Sequence, residues 1–174
     1  MLKLDLGSGP NPREGFIGVD TIKFPKVDIV MDLRDKWIWE DDSVDEVHSS
    51  HTIEHLETWD RVHFYNELYR VMKKDAKATI WAPHWGSCRA TGDPSHAWPP
   101  ISEFSFYYLS KSWRDGNAPH VDIEHNPKGY SCNFQVVWAY TLNPQLMTKN
   151  TEYQQFAMAW YKEAIYDIQA TLTK

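Results

Sequence analysis

Cysteine is scarce in this sequence, with only Cys88 and Cys132 among 174 residues. Two such distant cysteines form neither a disulfide framework nor a paired zinc motif. Apolar runs are short as well, and none approaches the ~18 residues that a transmembrane helix needs. The chain opens on a strand-like segment, without the basic region and apolar run of a signal peptide. We therefore expect a cytoplasmic protein with no membrane association.

Positive charge is also in deficit, because 18 Lys and Arg face 24 Asp and Glu, a net charge of −6. An acidic surface repels phosphate backbones, which disfavours general nucleic-acid binding. Aromatic residues, by contrast, are abundant at 14%, with nine Trp and nine Tyr. Many of them follow Trp81, where they can form a small core or line a cleft.

Short apolar segments that end in turn residues predict strands. They are Leu2–Leu6, Phe16–Asp20, Val27–Leu33, Val44–Ser49, Lys77–Ala82 and, late in the chain, Asn133–Leu142. Helical spacing of apolar residues predicts a helix over Asp60–Lys73 and an amphipathic helix over Thr151–Leu172. Only Pro10–Gly15 separates the first two strands, which is too short for a crossover helix.

Alternating strands and crossovers indicate an α/β fold with a Rossmann-like, mostly parallel sheet and helices on both faces. We expect one domain over residues 1–174, with a reduced N-terminus and a C-terminal helix. Residues 84–126 are rich in Pro, Gly, Trp and His, and they predict an aromatic-rich insertion after the fifth strand. Long ordered loops of this kind often cover a binding site.

The turn after the first strand carries Gly7 and Gly9, which allow a ligand to approach the backbone closely. Acidic residues end the next two strands, at Asp20 and Asp32. In open α/β sheets the carboxyl ends of adjacent strands form the ligand site. The carboxylate of Asp20, at the end of the second strand, can accept hydrogen bonds from both hydroxyls of a ribose. Asp32 and the backbone amide of Leu33 can hydrogen-bond to the edge of an adenine.

Five motifs, in this order, resemble those of class I S-adenosylmethionine-dependent methyltransferases, and most closely the small type-11-like group. They are Leu4–Pro12, Gly15–Asp20, Val30–Leu33, Asp41–Leu56 and Glu67–Lys73. The resemblance covers about the first half of the chain and implies S-adenosylmethionine as cofactor. It implies a methionine site at Asp5, Gly7, Ser8, Gly9, Pro10 and Asn11, a ribose site at Asp20, and an adenine site at Asp32 and Leu33. It further implies that Ser49, Ser50 and His51 line the cofactor near its methyl group.

Histidines cluster after the fourth and fifth strands. His84 follows a strand that would end beside the methyl donor, so His84, together with His51, is our candidate catalytic residue, as a general base with a near-neutral pKa. Methyl transfer depends mainly on positioning, so a purely pocket-lining role stays open for His84. His51 and His55 would share a helix face that a metal could use, but no H-E-x-x-H motif completes the pattern, and we assign no metal site.

We therefore expect an enzyme that transfers a methyl group to a small-molecule or sugar-type acceptor. DNA bases are disfavoured as acceptors, because the single Pro-Pro pair follows Trp98 and neither cysteine follows a proline. The first alternative is a non-catalytic protein that binds S-adenosylmethionine or S-adenosylhomocysteine. A nicotinamide-dependent oxidoreductase and a metal-dependent hydrolase are the remaining alternatives, and the sequence indicates no oligomeric state.

Overall fold

The computed structural model describes all residues 1–174 and contains one seven-stranded sheet. Its strand order is β3-β2-β1-β4-β5-β7-β6; the first five strands are parallel, and β7 lies antiparallel between β5 and β6. The strands are β1 Lys3–Leu6, β2 Ile17–Asp20, β3 Ile29–Val30, β4 Val44–Ser50, β5 Met72–Pro83, β6 Gln135–Leu142 and β7 Ile165–Thr173. The predicted α/β class with a mostly parallel, Rossmann-like sheet is confirmed.

Five helices accompany the sheet, and the longest, α1, is the crossover between β4 and β5. They are α1 Thr58–Val71, α2 Cys88–Gly92, α3 Glu103–Tyr107, α4 Lys111–Asn117 and α5 Thr151–Trp160, with 3-10 turns at Ile53–His55 and Pro119–Val121. None has both the length and the apolar character that a bilayer crossing requires. As expected, no helix lies between β1 and β2, and the β2–β3 and β3–β4 connections have none either.

The core lies on the face of the sheet that α1 covers. Leu4, Ile80 and Ile168 point to this face from three different strands and are fully buried. From α1, Phe64 and Leu68 pack into the same cluster. Side chains of the insertion, including Phe106 and Leu109 in and after α3, close the cluster. The sheet therefore has its apolar interior on one side.

The opposite face is open to solvent along β6. Every second residue of β6 is exposed, from Gln135 to Thr141. The residues of β7 that pair with Gln135, Val137 and Ala139 are half-buried, and the positions beside them on β5 are half-buried or exposed. The connections that join β1, β2 and β3 are short and hold no helix.

The C-terminal helix predicted over Thr151–Leu172 is also shorter than expected. Helix α5 ends at Trp160, and Ile165–Thr173 forms β7, the strand that fills the position between β5 and β6. Ile165, Ile168 and Leu172 have a spacing that suits a helix, but β7 buries Ile168, Ala170 and Leu172 with the two-residue period of a strand. Sheet pairing on both sides outweighs the helical pattern here.

Strand β5 begins earlier than expected. Helix α1 ends at Val71, and Met72 already pairs with Val44 of β4, whereas the sequence places Lys73 in the last helical turn. An ion pair between Lys73 and Asp45 (Nζ–Oδ1 2.8 Å) holds the early part of the strand. Asp75, with a φ of 63°, marks an irregular backbone position before the regular pairing with β4 resumes at Lys77.

The placement of β7 predicts different effects for adjacent residues. Ile168→Ala should lower the free energy of unfolding by ~2–5 kcal/mol, because Ile168 is fully buried in the core. Gln169→Ala is the matched control: its side chain lies on the open face, so we expect a change within ~0.5 kcal/mol. Urea unfolding of the two variants measures both values. Equal losses would contradict the alternation that β7 requires.

Candidate functional site

The turn after β1 is shaped by Gly7. Its φ of 69° is in the left-handed region, and a Cβ built on it would lie 2.1 Å from Thr52 Oγ1. Thr52 Oγ1 in turn donates to the carbonyl of Leu6 (3.2 Å). Only glycine has the left-handed φ without strain and also lacks the Cβ that would clash with Thr52. The turn after β1 and the turn after β4 are therefore in direct contact at this point.

The backbone amides of this turn are engaged within the protein. The N–H groups of Gly7 and Ser8 both donate to the carbonyl of Val19 (2.8 and 3.0 Å), and Gly9 N–H donates to Asp20 Oδ2 (2.8 Å). The glycines therefore contribute close approach to a ligand rather than free N–H donors.

Asp20, at the end of β2, stabilises the turn as well as facing the pocket. Its Oδ2 accepts from Gly9 N–H and its Oδ1 from Ile22 N–H (2.9 Å). Each carboxylate oxygen has a second lone pair, so contact with ribose hydroxyls remains available. From its exposed position at a strand end, the Asp20 carboxylate would be expected to contribute little to folding. Because it accepts these two backbone hydrogen bonds, its removal should also destabilise the loop.

Asp5 is buried at 5% exposure and acts as an anchor for the loop. Its Oδ2 accepts from Arg13 N–H and its Oδ1 contacts His48 Nδ1, both at 2.8 Å. Ser49 is buried too, and its Oγ donates to the carbonyl of Leu6 (2.8 Å). The structure thus places both behind the pocket wall.

Asp32 is bound to Arg34 two residues later. Arg34 donates to both carboxylate oxygens and adds its backbone N–H (2.9 Å to Oδ1), and these hydrogen bonds lower the pKa of Asp32. Leu33 is buried, and its carbonyl accepts from Trp37 Nε1 (3.1 Å). The β3 end is therefore rigid and anionic, with Arg34 beside it.

A pocket of about 530 Å³ opens between these strand ends. Of the residues expected around a cofactor it is lined by Gly7, Gly9, Pro10, Asp20, Asp32, Leu33 and His51. Asp5, Ser8, Asn11, Ser49 and Ser50 are not on its wall. Seven lining residues were not expected around a cofactor, namely Thr21, Ile22, Phe24, Arg34, Thr52, His55 and Leu56. Their position directly after β2, β3 and β4 was the available signal.

A second pocket of about 640 Å³ lies beside the first, and His51 and His55 line both. Its other walls come from the turn after β4 and the first part of the insertion: Glu54, Pro83, Cys88, Arg89, Gly92, Asp93, Pro94 and His96. Four of these residues, Glu54, Arg89, Asp93 and His96, have charged or imidazole side chains. This places the Gly92–His96 segment of the insertion next to the predicted methyl side of the cofactor pocket.

His51 joins the two pockets in a strained backbone conformation, with a φ of 54°. Non-glycine residues rarely adopt this region, and they do so mostly where surrounding structure enforces it. Its ring Nδ1 lies 3.2 Å from Glu54 Oε1, and this hydrogen bond raises the pKa of His51. Nδ1–H can thus donate to the buried carboxylate, which leaves Nε2 as the acceptor.

His84 is placed differently from His51. It is 4% exposed, its Nε2 lies 3.2 Å from Glu103 Oε1, and its Nδ1 accepts from Gly86 N–H at 3.3 Å. Neither pocket has His84 on its wall. With both ring nitrogens engaged inside the protein, its geometry favours a structural role, and general-base catalysis by His84 stays a prediction.

A third pocket, of about 410 Å³, is more apolar and lies between α1 and the insertion, with Trp59, Tyr65, Phe104 and Tyr108 on its walls. It shares no residue with the two polar pockets. Its distance from the carboxyl ends of the strands separates it from the candidate site.

Comparison with known proteins finds one family model that matches part of the chain. Residues 8–80 match the model of the family described as "Methyltransferase domain". No curated protein sequence matches the chain. The resemblance of the N-terminal part of the chain to methyltransferases is thereby confirmed.

Solved structures share the fold. A SAM-dependent methyltransferase from Archaeoglobus fulgidus aligns with a TM-score of 0.69 at 20% identity, covering 99% of this chain and 85% of that one. The methyltransferase in complex with the Haloferax volcanii Trm112 activator aligns with a TM-score of 0.58 at 13% identity, covering 99% and 81%. The 1,6-didemethyltoxoflavin-N1-methyltransferase of Burkholderia thailandensis, solved with its substrate and S-adenosylhomocysteine, aligns at 0.58 and 10% identity, covering 99% and 71%.

The contact between Gly7 and Thr52 predicts a severe effect of Gly7→Ala. The added Cβ meets Thr52 and the backbone is in the left-handed region, so we expect a loss of ~2 kcal/mol or more in unfolding free energy. Gly116→Ala, a helical glycine in α4 with open space around it, is the control and should be neutral or slightly stabilising. Chemical denaturation measures both, and a neutral Gly7→Ala would contradict the contact.

The Glu103 cluster predicts a pH dependence of stability. Hydrogen bonds from His84 and from Tyr140 (O–Oε1 2.6 Å) lower the pKa of Glu103 to about 2. Because the folded pKa lies below the ordinary value, the stabilisation is complete above pH ~4.5 and is lost as the pH falls towards 2. Partial exposure of Glu103 reduces its size through solvent screening. Glu103→Gln should therefore show a smaller drop in melting temperature between pH 5 and pH 3 than the wild type; equal drops would exclude this pair as a contributor.

Proposed function

We propose that this chain is a class I S-adenosylmethionine-dependent methyltransferase and that it methylates a hydroxyl group of a small polar acceptor, such as a sugar-type molecule, held in the second pocket. The single observation that carries the proposal is that His51 and His55 line both pockets, so a cofactor and an acceptor bound in them would meet there.

The residues of the first pocket fit the cofactor. Gly9, which has open space where a Cβ would lie, leaves room for its methionine part beside Gly7, Asp20 can accept from the ribose hydroxyls, and Asp32 with Leu33 flanks the proposed adenine position. When bound, S-adenosylmethionine supplies an electrophilic methyl group on a sulfonium sulfur. The protein's own contribution is to hold the acceptor in line with that group and to exclude water.

His51 is the residue we assign to proton removal from the acceptor. Its Nδ1–H donates to Glu54 Oε1 (3.2 Å), and this bond fixes the tautomer whose Nε2 can accept a proton. His51 Nε2 would accept the hydroxyl proton of the acceptor as the acceptor oxygen takes the methyl group and the sulfur of the cofactor keeps the electron pair of the broken carbon–sulfur bond. The strained φ of His51 supports this role, because backbone strain of that kind clusters at active sites.

The second pocket supports a polar acceptor by its composition. His96, Asp93 and Arg89 offer hydrogen-bond donors and acceptors of both charges, while Pro83 and Pro94 shape the wall. Such a lining matches a polyhydroxy compound better than an apolar one, since each hydroxyl group needs a partner once it is removed from water. A toxoflavin precursor is the acceptor of one structural neighbour, which supports a small-molecule acceptor here.

The cofactor site is tested with S-adenosylhomocysteine. We expect micromolar affinity, about −8 kcal/mol, in a titration calorimeter. Asp20→Ala should weaken it by ~1.5–3 kcal/mol, the scale of a hydrogen bond to a charged group, and should also lower the melting temperature of the ligand-free protein, because two backbone bonds are lost. Unchanged affinity in a folded Asp20→Ala protein would remove the ribose contact.

Catalysis is tested by transfer of labelled methyl from S-adenosylmethionine to a panel of sugars and other small polyhydroxy compounds. His51→Asn, which tolerates the left-handed backbone, should reduce turnover ~10²–10⁴-fold while S-adenosylhomocysteine binding persists. His84→Ala is the comparison variant and should affect stability more than chemistry. Cofactor binding without transfer to any compound would instead favour the non-catalytic binding protein.

A further inference from the structure

Three potential metal ligands meet at the wall of the second pocket. Glu54 and His55 belong to the 3-10 turn after β4, and His96 comes from the insertion. Their ligand atoms all lie within 4.8 Å of one another. The two imidazole rings are in edge contact, with centroids 4.8 Å apart. Glu54 is buried, His96 half-buried and His55 exposed, so the group opens from the interior towards the pocket.

The carboxylate of Glu54 is incompletely satisfied. Glu54 is only 3% exposed; its Oε1 accepts from His51, but its buried Oε2 has no hydrogen-bond partner. A buried charged oxygen without a partner is costly, and native proteins pair such groups with donors or with metal ions. Glu54 is the buried member of the group that it forms with the two imidazoles.

Both imidazoles have hydrogen bonds that leave Nε2 available. His96 Nδ1–H donates to the carbonyl of Ala90 (3.2 Å). His55 Nδ1 lies 3.2 Å from Ser95 Oγ, which itself donates to Asp93 Oδ1 (2.6 Å). Metal-binding histidines are held in this way, with the second ring nitrogen bonded to a carbonyl or other acceptor, so that the remaining nitrogen points its lone pair at the ion.

The charged groups around the cluster favour a cation. Asp93 Oδ2 lies 3.8 Å from His96 Nε2 and can add a further oxygen ligand. The one guanidinium on this wall, Arg89, is paired with Asp167 (3.1 Å). His51 faces Glu54 Oε1 from the other side of the carboxylate, and it can remain there when Oε2 is used.

We propose that Glu54, His55 and His96 bind one divalent transition-metal ion of the Zn²⁺ class and leave a coordination position open to the second pocket. Two imidazoles and one carboxylate are the ligand set of catalytic zinc sites, which keep such a position. Tetrahedral bonds of ~2.0–2.2 Å place the ligand atoms ~3.3–3.6 Å apart, so binding draws them closer by at most about 1.5 Å. Exposed His55 and half-buried His96 have the freedom for this shift.

The site gives the ion a role that rests on the proposed function. A hydroxyl oxygen of the acceptor that occupies the open position would have its pKa lowered by the ion. His51, which lines both pockets, would then accept the proton of that hydroxyl group. Metal binding itself requires none of this and can be measured alone.

The experiment titrates untagged, chelator-treated protein with Zn²⁺ in a calorimeter, and with Co²⁺ by visible absorption. We expect one ion per chain and the absorption bands of Co²⁺ with nitrogen and oxygen ligands. Glu54→Gln, which keeps the side-chain shape, and His96→Ala should each weaken Zn²⁺ at least 100-fold. His125→Ala, an exposed histidine outside the cluster, is the matched control and should bind as the wild type does.

The outcomes separate the metal site from the proposed function. Absence of stoichiometric Zn²⁺ binding in the folded wild type, or equal binding by wild type, Glu54→Gln and His96→Ala, would overturn the site. His55→Ala changes an exposed residue and serves as a third test should a buried substitution impair folding, which thermal melting reports. Zn²⁺ binding with no methyl transfer would leave the site standing and reject the function, whereas methyl transfer without Zn²⁺ binding would reject the site and leave the function standing.

Discussion

The guanidinium of Arg61 connects the three segments on which the candidate site depends. From α1, and at 7% exposure, it donates to the carbonyls of Ile53 (2.9 Å), Glu54 (3.3 Å), Ala97 (2.9 Å) and Pro99. Burial lowers the pKa of Arg61, and these bonds offset the cost of removing its charge from water. Ala97 N–H also donates to the backbone carbonyl of Glu54 (2.8 Å). The insertion is therefore held against the turn after β4, which carries His51, Glu54 and His55.

Around the first pocket, where no crossover helix lies between β1 and β2, side-chain carboxylates stabilise the connecting segments. Three of them accept backbone N–H groups of the connection between β1 and the middle of β2: Asp5 from Arg13, Asp20 from Gly9, and Asp28 from Gly18. Two of these bonds join a loop amide to a strand residue, and the third joins Gly18 of β2 to Asp28, which lies next to β3. The acidic composition of the N-terminal part therefore has a structural purpose in addition to any contact with a ligand.

The two pockets consequently have different origins. The first is built from the strand ends themselves and inherits the rigidity of the parallel sheet. The second depends on the insertion, whose own order comes from buried polar contacts such as the ion pair between Arg114 and Asp122 (2.8 Å). Because the two pockets are built from different segments, the insertion that forms the second pocket can change while the strand ends that form the first are retained. Such independence is expected of a fold that hosts many substrates.

Local sequence was sufficient for the features that depend on neighbouring residues. The turn at Gly7, the acidic ends of β2 and β3, helix α1 and the missing first crossover helix all follow from short-range patterns, since glycine, apolar period and loop length act within a few residues. Tertiary structure decided the rest. Segment 165–173 became a strand because an unfilled position in the sheet outweighed its helical spacing. Asp5 and His84 are buried because they hydrogen-bond to His48 and Glu103, which are distant in sequence. His96 lies near Glu54 because Arg61 holds the insertion against the turn after β4.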